Sequence, residues 1–329
     1  MDVVTEVLRG VRLDSQIWGR LELSAPWGLQ MEGLKESAFY VVTEGSCVLQ
    51  IETQDPRVKH LSAPRVLQPG DLVILLQGYS YRLSSLNSTE KEALPAISLM
   101  EVLEQSASNH QTTSYNHYRY GGGGDETHLV SGCFFFCNRQ RCPLLSALPT
   151  VIHLTQKHIH EATGSSAEWF TSTIEFLACE ATSTQLGAPV ISSRLAEIMF
   201  IQVVRTYLAK LPDHEQGWLR AVVDPQIGQA LALIHQHLNH SWTVEELAQR
   251  VDMSRAAFAA KFRQLVGEPP LQYITRWRMQ EAATVLQQNN LSVVDVALAM
   301  GYESESAFNK AFKRCMGETP GTYRKKTTE

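Results

Sequence analysis

The stretch from Thr243 to Tyr323 reads as one helix-turn-helix unit written twice, and this repeat limits the fold more than any other feature. The first copy opens Thr243-Val-Glu-Glu-Leu-Ala-Gln-Arg-Val-Asp-Met-Ser254 and ends at Gly267-Glu-Pro-Pro270. The second opens Ser292-Val-Val-Asp-Val-Ala-Leu-Ala-Met-Gly-Tyr-Glu-Ser304 and ends at Gly317-Glu-Thr-Pro320. Thr243 aligns with Ser292 at an offset of 49, whereas Phe258, Phe262 and Gly267 align with Phe308, Phe312 and Gly317 at an offset of 50, so the second turn carries one extra residue. Two such units in one chain can lay two recognition helices in successive major grooves, about 34 Å apart.

The local signals inside the repeat are helix caps. Asp224 before Pro225 starts a helix, with an N-cap acceptor and a proline at N1. Thr243 with Glu246 and Ser292 with Asp295 have the spacing of capping boxes. Ser254 and Ser304 cap the two presumptive recognition helices. The pairs Phe258/Phe262 and Phe308/Phe312 are spaced i, i+4 and fall on one buried face. Gly301 suits the left-handed turn of the second copy, and Val251-Asp252-Met253 forms the turn of the first. Cys315 aligns with Leu265, which predicts a core position. Pro269-Pro270 starts a long helix to about Gln288 that joins the copies.

A net charge of −5 looks wrong for a nucleic-acid binder until it is divided. From Asp224 onward there are 12 Lys/Arg against 11 Asp/Glu, which leaves the preceding part at −6. Lys310, Lys313, Arg314, Arg324, Lys325 and Lys326 lie near a single acid, Glu318, a run suited to phosphates as well as to a solvated helix face. The 329 residues suffice for two domains, at 44% hydrophobic and 19% charged. No apolar run approaches the roughly 20 residues of a membrane span. The start of the chain lacks the basic and apolar parts of a signal peptide, which predicts a cytoplasmic protein with reduced cysteines.

The N-terminal part has a different texture. Residues 1–20 carry amphipathic spacing (Val3, Val4, Val7, Leu8, Val11) that suggests a short leading helix. Short strand-like runs follow at Leu21–Leu23, Gly28–Met31, Phe39–Val42, Cys47–Ile51, Val66–Leu67, Leu72–Leu76 and Tyr81–Leu83. Turn signals at Glu44-Gly-Ser and Pro69-Gly-Asp separate them, which predicts an antiparallel sandwich or barrel. Residues 104–127, polar and then glycine-rich, read as a flexible loop. Its four consecutive glycines lack the Lys-Ser/Thr that would complete a phosphate loop.

The β pattern returns at His128–Cys137. Cys133, Cys137 and Cys142 within it and just after it leave three readings open: small core residues, a thiol switch, or part of a metal site, although the spacing is not Cys-x2-Cys. Helical patterns at Ser165–Ala181 and Pro189–Leu211 carry apolar stripes wide enough to cover a barrel and meet a second subunit. Pro212-Asp-His-Glu-Gln-Gly217 reads as a linker. The division predicted is therefore 1–163 (β-rich), 164–223 (helical dimerisation segment and linker) and 224–329 (double helix-turn-helix).

Within the first part, Tyr40-Val-Val-Thr-Glu-Gly-Ser-Cys-Val-Leu49 and Leu67-Gln-Pro-Gly-Asp-Leu-Val-Ile-Leu-Leu-Gln-Gly78 resemble the two motifs of the cupin barrel. The histidines that hold metal in cupin enzymes have no counterparts here; Ala38-Phe-Tyr40 and Tyr79-Ser-Tyr81 occupy those regions, and phenols are poor metal ligands at neutral pH. A metal-dependent cupin enzyme is disfavoured on that ground, and neither catalytic residue, metal nor cofactor is expected.

The C-terminal signature Ala297-x-x-x-Gly-Tyr-x-Ser-x-Ser-x-Phe-x-Lys-x-Phe-Lys-x-x-x-Gly-x-Thr-Pro-x-x-Tyr-Arg324 resembles the DNA-binding domain of the AraC/XylS family of bacterial transcription regulators. Tyr120-Gly-Gly-Gly-Gly, Leu129-Val-Ser-Gly-Cys-Phe and Pro143-Leu-Leu-Ser-Ala-Leu-Pro149 are similar to the cupin-type sensor domain of one branch of it. A member of that branch senses reactive chlorine through cysteines; the thiol position expected just before Gly132 is Ser131 here.

The resemblance implies an α+β chain, with a cupin-like antiparallel β-barrel plus helices followed by an all-α double helix-turn-helix domain. It implies double-stranded DNA as partner, RNA polymerase as a contact of an activator, and a homodimer. It places the DNA-facing positions at Ser254, Arg255, Ala256, Ala259 and Ala260 in the first copy, and at Ser304, Glu305, Ser306, Asn309, Lys310 and Lys313 in the second. Asn, Lys and Glu can read adenine, guanine and cytosine, whereas alanines touch only thymine methyls, so the second helix is expected to carry more hydrogen-bonded readout. A small-molecule effector would meet Tyr40 and Tyr81; an oxidant effector would act at Cys133, Cys137 and Cys142 instead.

Overall fold

The computed structural model describes residues 13–33, 36–53, 60–76, 78–86, 97–108, 117–136, 143–163, 167–211, 217–288 and 291–325, together with Val4, Thr5 and Leu8. Cys137, Cys142 and most of the expected linker, residues 212–216, lie outside these. The chain forms two compact units. One holds residues 12–137 and 148–210; the other holds residues 1–11, 138–147 and 211–329. The helical segment expected at 164–223 thus divides between them near residue 210.

The first unit is built on two sheets. In chain order its strands are β1 (Leu13–Ser24), β2 (Gly28–Met31), β3 (Ser37–Glu44), β4 (Cys47–Glu52), β5 (Arg65–Leu67), β6 (Leu72–Leu75), β7 (Ser80–Ser85) and β8 (Ile97–Ser98). Helix α1 (Leu99–Ser108), β9 (His117–Gly121) and β10 (Glu126–Phe136) follow, and β11 (Val151–Leu154) closes the set. One sheet runs β11-β6-β3-β10-β1-β9 and the other β5-β4-β7-β2-β8. Pairing is antiparallel except for β1 with β9 and β2 with β8.

Alternate residues of both sheets share one core. Leu21, Leu23, Tyr40, Val42, Val73, Leu75 and Leu129 from the first sheet meet Leu29, Met31, Cys47, Leu49, Ile51, Leu67, Tyr81 and Leu83 from the second. Side chains at every second position of a strand point to the same face, so short alternating runs suffice to build this interior.

Two expectations fail here. Residues 13–20 are not part of a leading helix but the first half of β1. Their backbone is claimed by β10, with a register shift at Ile17/Gly19 that interrupts any simple alternation. Residues 104–127 are not one loop, because β9 pairs along Arg20–Ser24 and α1 reaches Ser108. Gly121 (φ 135°) shows why glycine sits there: a Cβ would lie 1.9 Å from the Ser24 carbonyl oxygen.

The first unit also contains α3 (Gln156–Thr163), α4 (Ala167–Ala181) and α5 (Ala188–Ala209); α2 (Pro143–Ala147) precedes them in the chain. Helices α4 and α5 lie on the outer face of the first sheet, against β1. Phe200 of α5 stacks obliquely on Phe134 (5.3 Å between centroids), which stacks on Phe39 (4.8 Å).

The second unit is helical: α6 (Trp218–Val223), α7 (Pro225–Gln236), α8 (Val244–Arg250), α9 (Arg255–Val266), α10 (Pro270–Gln288), α11 (Val293–Ala299), α12 (Glu305–Met316) and α13 (Pro320–Lys325). Short α2 packs on α6 within this same unit, with Leu144 and Leu145 buried. Asp224 caps α7 by accepting from the Gln226 and Ile227 N–H groups and pairs with Lys261 at 2.8 Å. Burial pushes its carboxyl up, but those donors outweigh it and leave the group below its ordinary value.

Candidate nucleic-acid interface

Each copy of the repeat is a short helix, a turn and a longer helix, and its caps are where the sequence puts them. Thr243 Oγ1 accepts from the Glu246 N–H at 3.1 Å, and Ser254 Oγ from the Ala257 N–H at 3.3 Å. In the second copy Ser292 Oγ accepts from the Asp295 N–H at 3.1 Å, and Ser304 Oγ from the Ala307 N–H at 3.1 Å. Only the second copy forms the reciprocal box, Asp295 accepting from the Ser292 N–H at 3.3 Å. In the first, the Glu246 carboxylate meets His240 Nε2 at 3.1 Å and Arg250 at 3.6 Å.

The two turns share a left-handed residue. Asp252 has φ 54° and Gly301, 49 positions later, φ 76°. At Gly301 a Cβ would lie 2.3 Å from the Asn239 carbonyl oxygen, so glycine is needed there for space as well as conformation. The extra residue of the second copy falls in Tyr302-Glu303, after this glycine. Phe258 and Phe262, like Phe308 and Phe312, are fully buried. Met279, Ala282, Ala283 and Leu286 of α10 join the core under the second copy, while Tyr273 of α10 stacks edge-on against Phe262 under the first. The connecting helix therefore belongs to both cores, which fixes one reading helix against the other.

With those aromatics inward, the opposite faces are free. Ser254, Arg255, Ala256 and Ala260 are exposed and Ala259 half-buried at the start of α9. Ser304, Glu305, Ser306, Lys310 and Lys313 are exposed on α12, with Asn309 half-buried between them. Every DNA-facing residue expected from the sequence thus lies at or beside the N-terminal half of α9 or along α12. Arg263 is exposed at the position equivalent to Lys313, and Arg314 is exposed beside Lys313. Aligning the two copies is the signal that identifies Arg263. Cys315 departs from expectation: it is exposed, because the buried stripe of α12 ends at Phe312 and Cys315 lies in the last turn before the left-handed cap Gly317.

Comparison with known proteins points the same way. Residues 2–209 match the family described as Cupin, and residues 247–326 the family described as a helix-turn-helix domain. An AraC-like transcription regulator of Streptomyces antibioticus is 31% identical over 327 residues, covering 99% of each chain.

The chain belongs to the AraC-like transcription regulators.

Two more AraC-type relatives bear on its parts. The regulator AlkR of Acinetobacter baylyi is 31% identical over 309 residues, 89% of this chain and 95% of its own. RclR of Escherichia coli, described as an RCS-specific transcriptional activator, is 37% identical over 161 residues, 49% of this chain and 56% of its own. The AraC-type domain makes double-stranded DNA the partner of the second unit, and the first unit is its cupin-like companion. Among the described residues no helix is long and apolar enough to cross a membrane, and no cluster of three or more His, Cys, Asp or Glu side chains is placed to hold a metal ion.

In the cupin-like domain of this AraC-type chain, Tyr40 and Tyr81 are brought together: their hydroxyls lie 2.7 Å apart, buried in the shared core. Burial, reinforced for Tyr40 by its partner, pushes both phenols above their ordinary range. Trp18 meets Tyr40 edge-on at 6.4 Å. Cys133 is buried on β10, and burial pushes its thiol up to about 11; Cys47 is pushed up to about 12. A thiol so raised holds almost no thiolate at neutral pH.

Proposed function

We propose that this regulator activates transcription, reads its operator unequally with its two helices, and is switched by an effector bound in the cupin-like domain. The unequal reading is supported by one comparison. Arg255 and Ala259 of α9 stand where α12 has Glu305 and Asn309, and Ala260 where α12 has Lys310. Alanine offers a methyl contact to thymine, whereas Asn, Lys and Glu make hydrogen bonds to base edges. The second helix therefore supplies most of the specific hydrogen bonding, and the first contributes fit, with Arg255 as its polar contact.

Control by a homodimer is supported by the outer surface of α4 and α5. Trp169, Phe176, Ile191, Ile198 and Ile201 of these two helices are all exposed, large apolar side chains suited to burial against a second subunit. The activator assignment follows the printed description of RclR, and such an activator would contact RNA polymerase from DNA in the cytoplasm without itself being an enzyme. A reporter with the selected operator upstream of a weak promoter tests it: expression rises with the regulator if it activates, and a fall would make it a repressor. Sedimentation equilibrium of the full chain tests the dimer; a monomer at micromolar concentration would remove it.

A further inference from the structure

A cavity of about 460 Å³ opens in the first unit between β1 and the turn joining α4 to α5. Ser15, Gln16 and Ile17 form one wall, and Glu180, Gln185 and Ser192 stand among the residues of the other. It lies away from the Tyr40–Tyr81 pair, whose residues do not line it. Among the described residues, two polar atoms of its lining side chains have no partner: Glu180 Oε2 and Ser192 Oγ, both shielded from solvent. Ser192 is only 2% exposed. An inaccessible carboxylate oxygen with no donor is costly, because it has given up water without replacing it.

Several polar groups around it are already engaged. Ser15 Oγ is engaged with the Ser193 carbonyl at 2.9 Å, and Ser183 Oγ accepts from the Gln185 N–H at 3.2 Å. The N–H groups at the start of α5 are used as well: Val190 and Ile191 both donate to the Gly187 carbonyl at 3.0 Å. Pro189 has none to offer. Among the described residues no Lys, Arg or His lines the cavity. Glu180 is the one formal charge among the described lining residues, set among hydroxyls and amides with Ile17, Ala181 and Pro189 as apolar floor.

We infer that this cavity is a binding site for a small cationic ligand rich in donors, an amine or amino sugar, whose ammonium pairs with Glu180 and whose hydroxyl meets Ser192. A carboxylate acceptor with spare capacity selects donors, and its own negative charge selects against anions. The volume suits a single small molecule. This rests on the reading that the cupin-like domain takes an effector, and assigns that effector a site on the domain's flank. The site adjoins the end of the α4–α5 pair whose exposed face is the proposed dimer surface, so occupancy would reach the helices that carry assembly.

Calorimetric titration of the full chain with glucosamine, putrescine and ethanolamine, beside glucose and gluconate, tests the site without DNA. At least one amine binds, glucose binds at least about tenfold more weakly than glucosamine, and gluconate gives no heat. Glu180→Gln weakens the amine by at least about tenfold, and Ser192→Ala weakens it more modestly. Retained DNA binding by both variants shows that they fold. Heats absent for all three amines, equal binding of gluconate, or unchanged binding by Glu180→Gln overturns the site. An amine that binds through Glu180 yet leaves DNA affinity and reporter output untouched upholds the site and overturns the effector reading instead.

Discussion

Asn309 donates its side-chain amide to Glu305 Oε1 at 3.4 Å, one turn away on the exposed face of α12. The equivalent positions of α9 are Ala259 and Arg255, and Arg255 lies 4.0 Å from Glu245 instead. Two residues able to read bases are thus pre-aligned on one helix and have no matching pair on the other. Holding side chains near their working rotamers lowers the entropy lost on binding.

Lys310 and Lys313 lie three residues apart on that helix, both exposed, and are expected to behave differently. Lys310→Ala is expected to cost about 1–3 kcal/mol on the preferred operator and little on unrelated duplex. Lys313→Ala weakens all sequences alike and lowers the salt slope by about 1. Affinities measured across a salt series check this. Uniform weakening by Lys310→Ala would move it from reading to phosphate contact.

Gly301→Ala places a Cβ against the Asn239 carbonyl in a left-handed residue, and is expected to destabilise the second unit by roughly 1–3 kcal/mol. Asp252→Gly, at the equivalent turn, changes stability by less than about 1 kcal/mol, since φ is already positive there. Urea denaturation of the two variants measures both. An unaffected Gly301→Ala would mean that the turn relaxes away from Asn239.

Much of this second unit is legible in the sequence because its signals are local. Ser254, Ser304, Thr243 and Ser292 bond to backbone groups three residues away, and Phe pairs at i, i+4 need only helix geometry. The β-domain is less legible. Strand β9 is short and abuts a glycine run, and it exists because β1 pairs with it across about a hundred residues. The start of β1 was hidden by a register shift at Ile17/Gly19. Glu246 shows a different failure, since the box spacing was present but His240 and Arg250 competed for its carboxylate. The Glu180–Ser192 cavity left no sequence signal, because its walls come from segments more than 160 positions apart.

His235 Nε2 lies 2.8 Å from the Tyr273 hydroxyl, which also receives the Trp218 indole N–H at 3.4 Å. Burial, with the Arg276 guanidinium adding to it, pushes His235 down to about 3. The unfolded chain binds this proton near the ordinary value of about 6.5, so the folded state is favoured above that pH. Stability from the site is lost as pH falls from about 6.5 toward 3, at up to about 1.4 kcal/mol per pH unit. His235→Gln should flatten the slope in acid denaturation; an equal slope in the variant would assign it to other groups.

Cys179 and Cys315 are exposed, whereas Cys47 and Cys133 are buried with raised thiols. Iodoacetamide at neutral pH is expected to label the exposed pair first, with the buried pair slower by at least about tenfold. Mass spectrometry of timed samples resolves the four sites. Labelling of Cys133 as fast as Cys315 would reopen a thiol switch on β10.

The central claim is that two joined but unequal helices read one DNA site. Selection of bound duplexes from a random pool by the full chain tests it directly, repeated with Asn309→Ala. The predicted motif has two elements about one helical turn, 10–10.5 base pairs, apart, with most of its information in the element that Asn309→Ala degrades. A motif with a single element, or one unchanged by Asn309→Ala, would contradict the account.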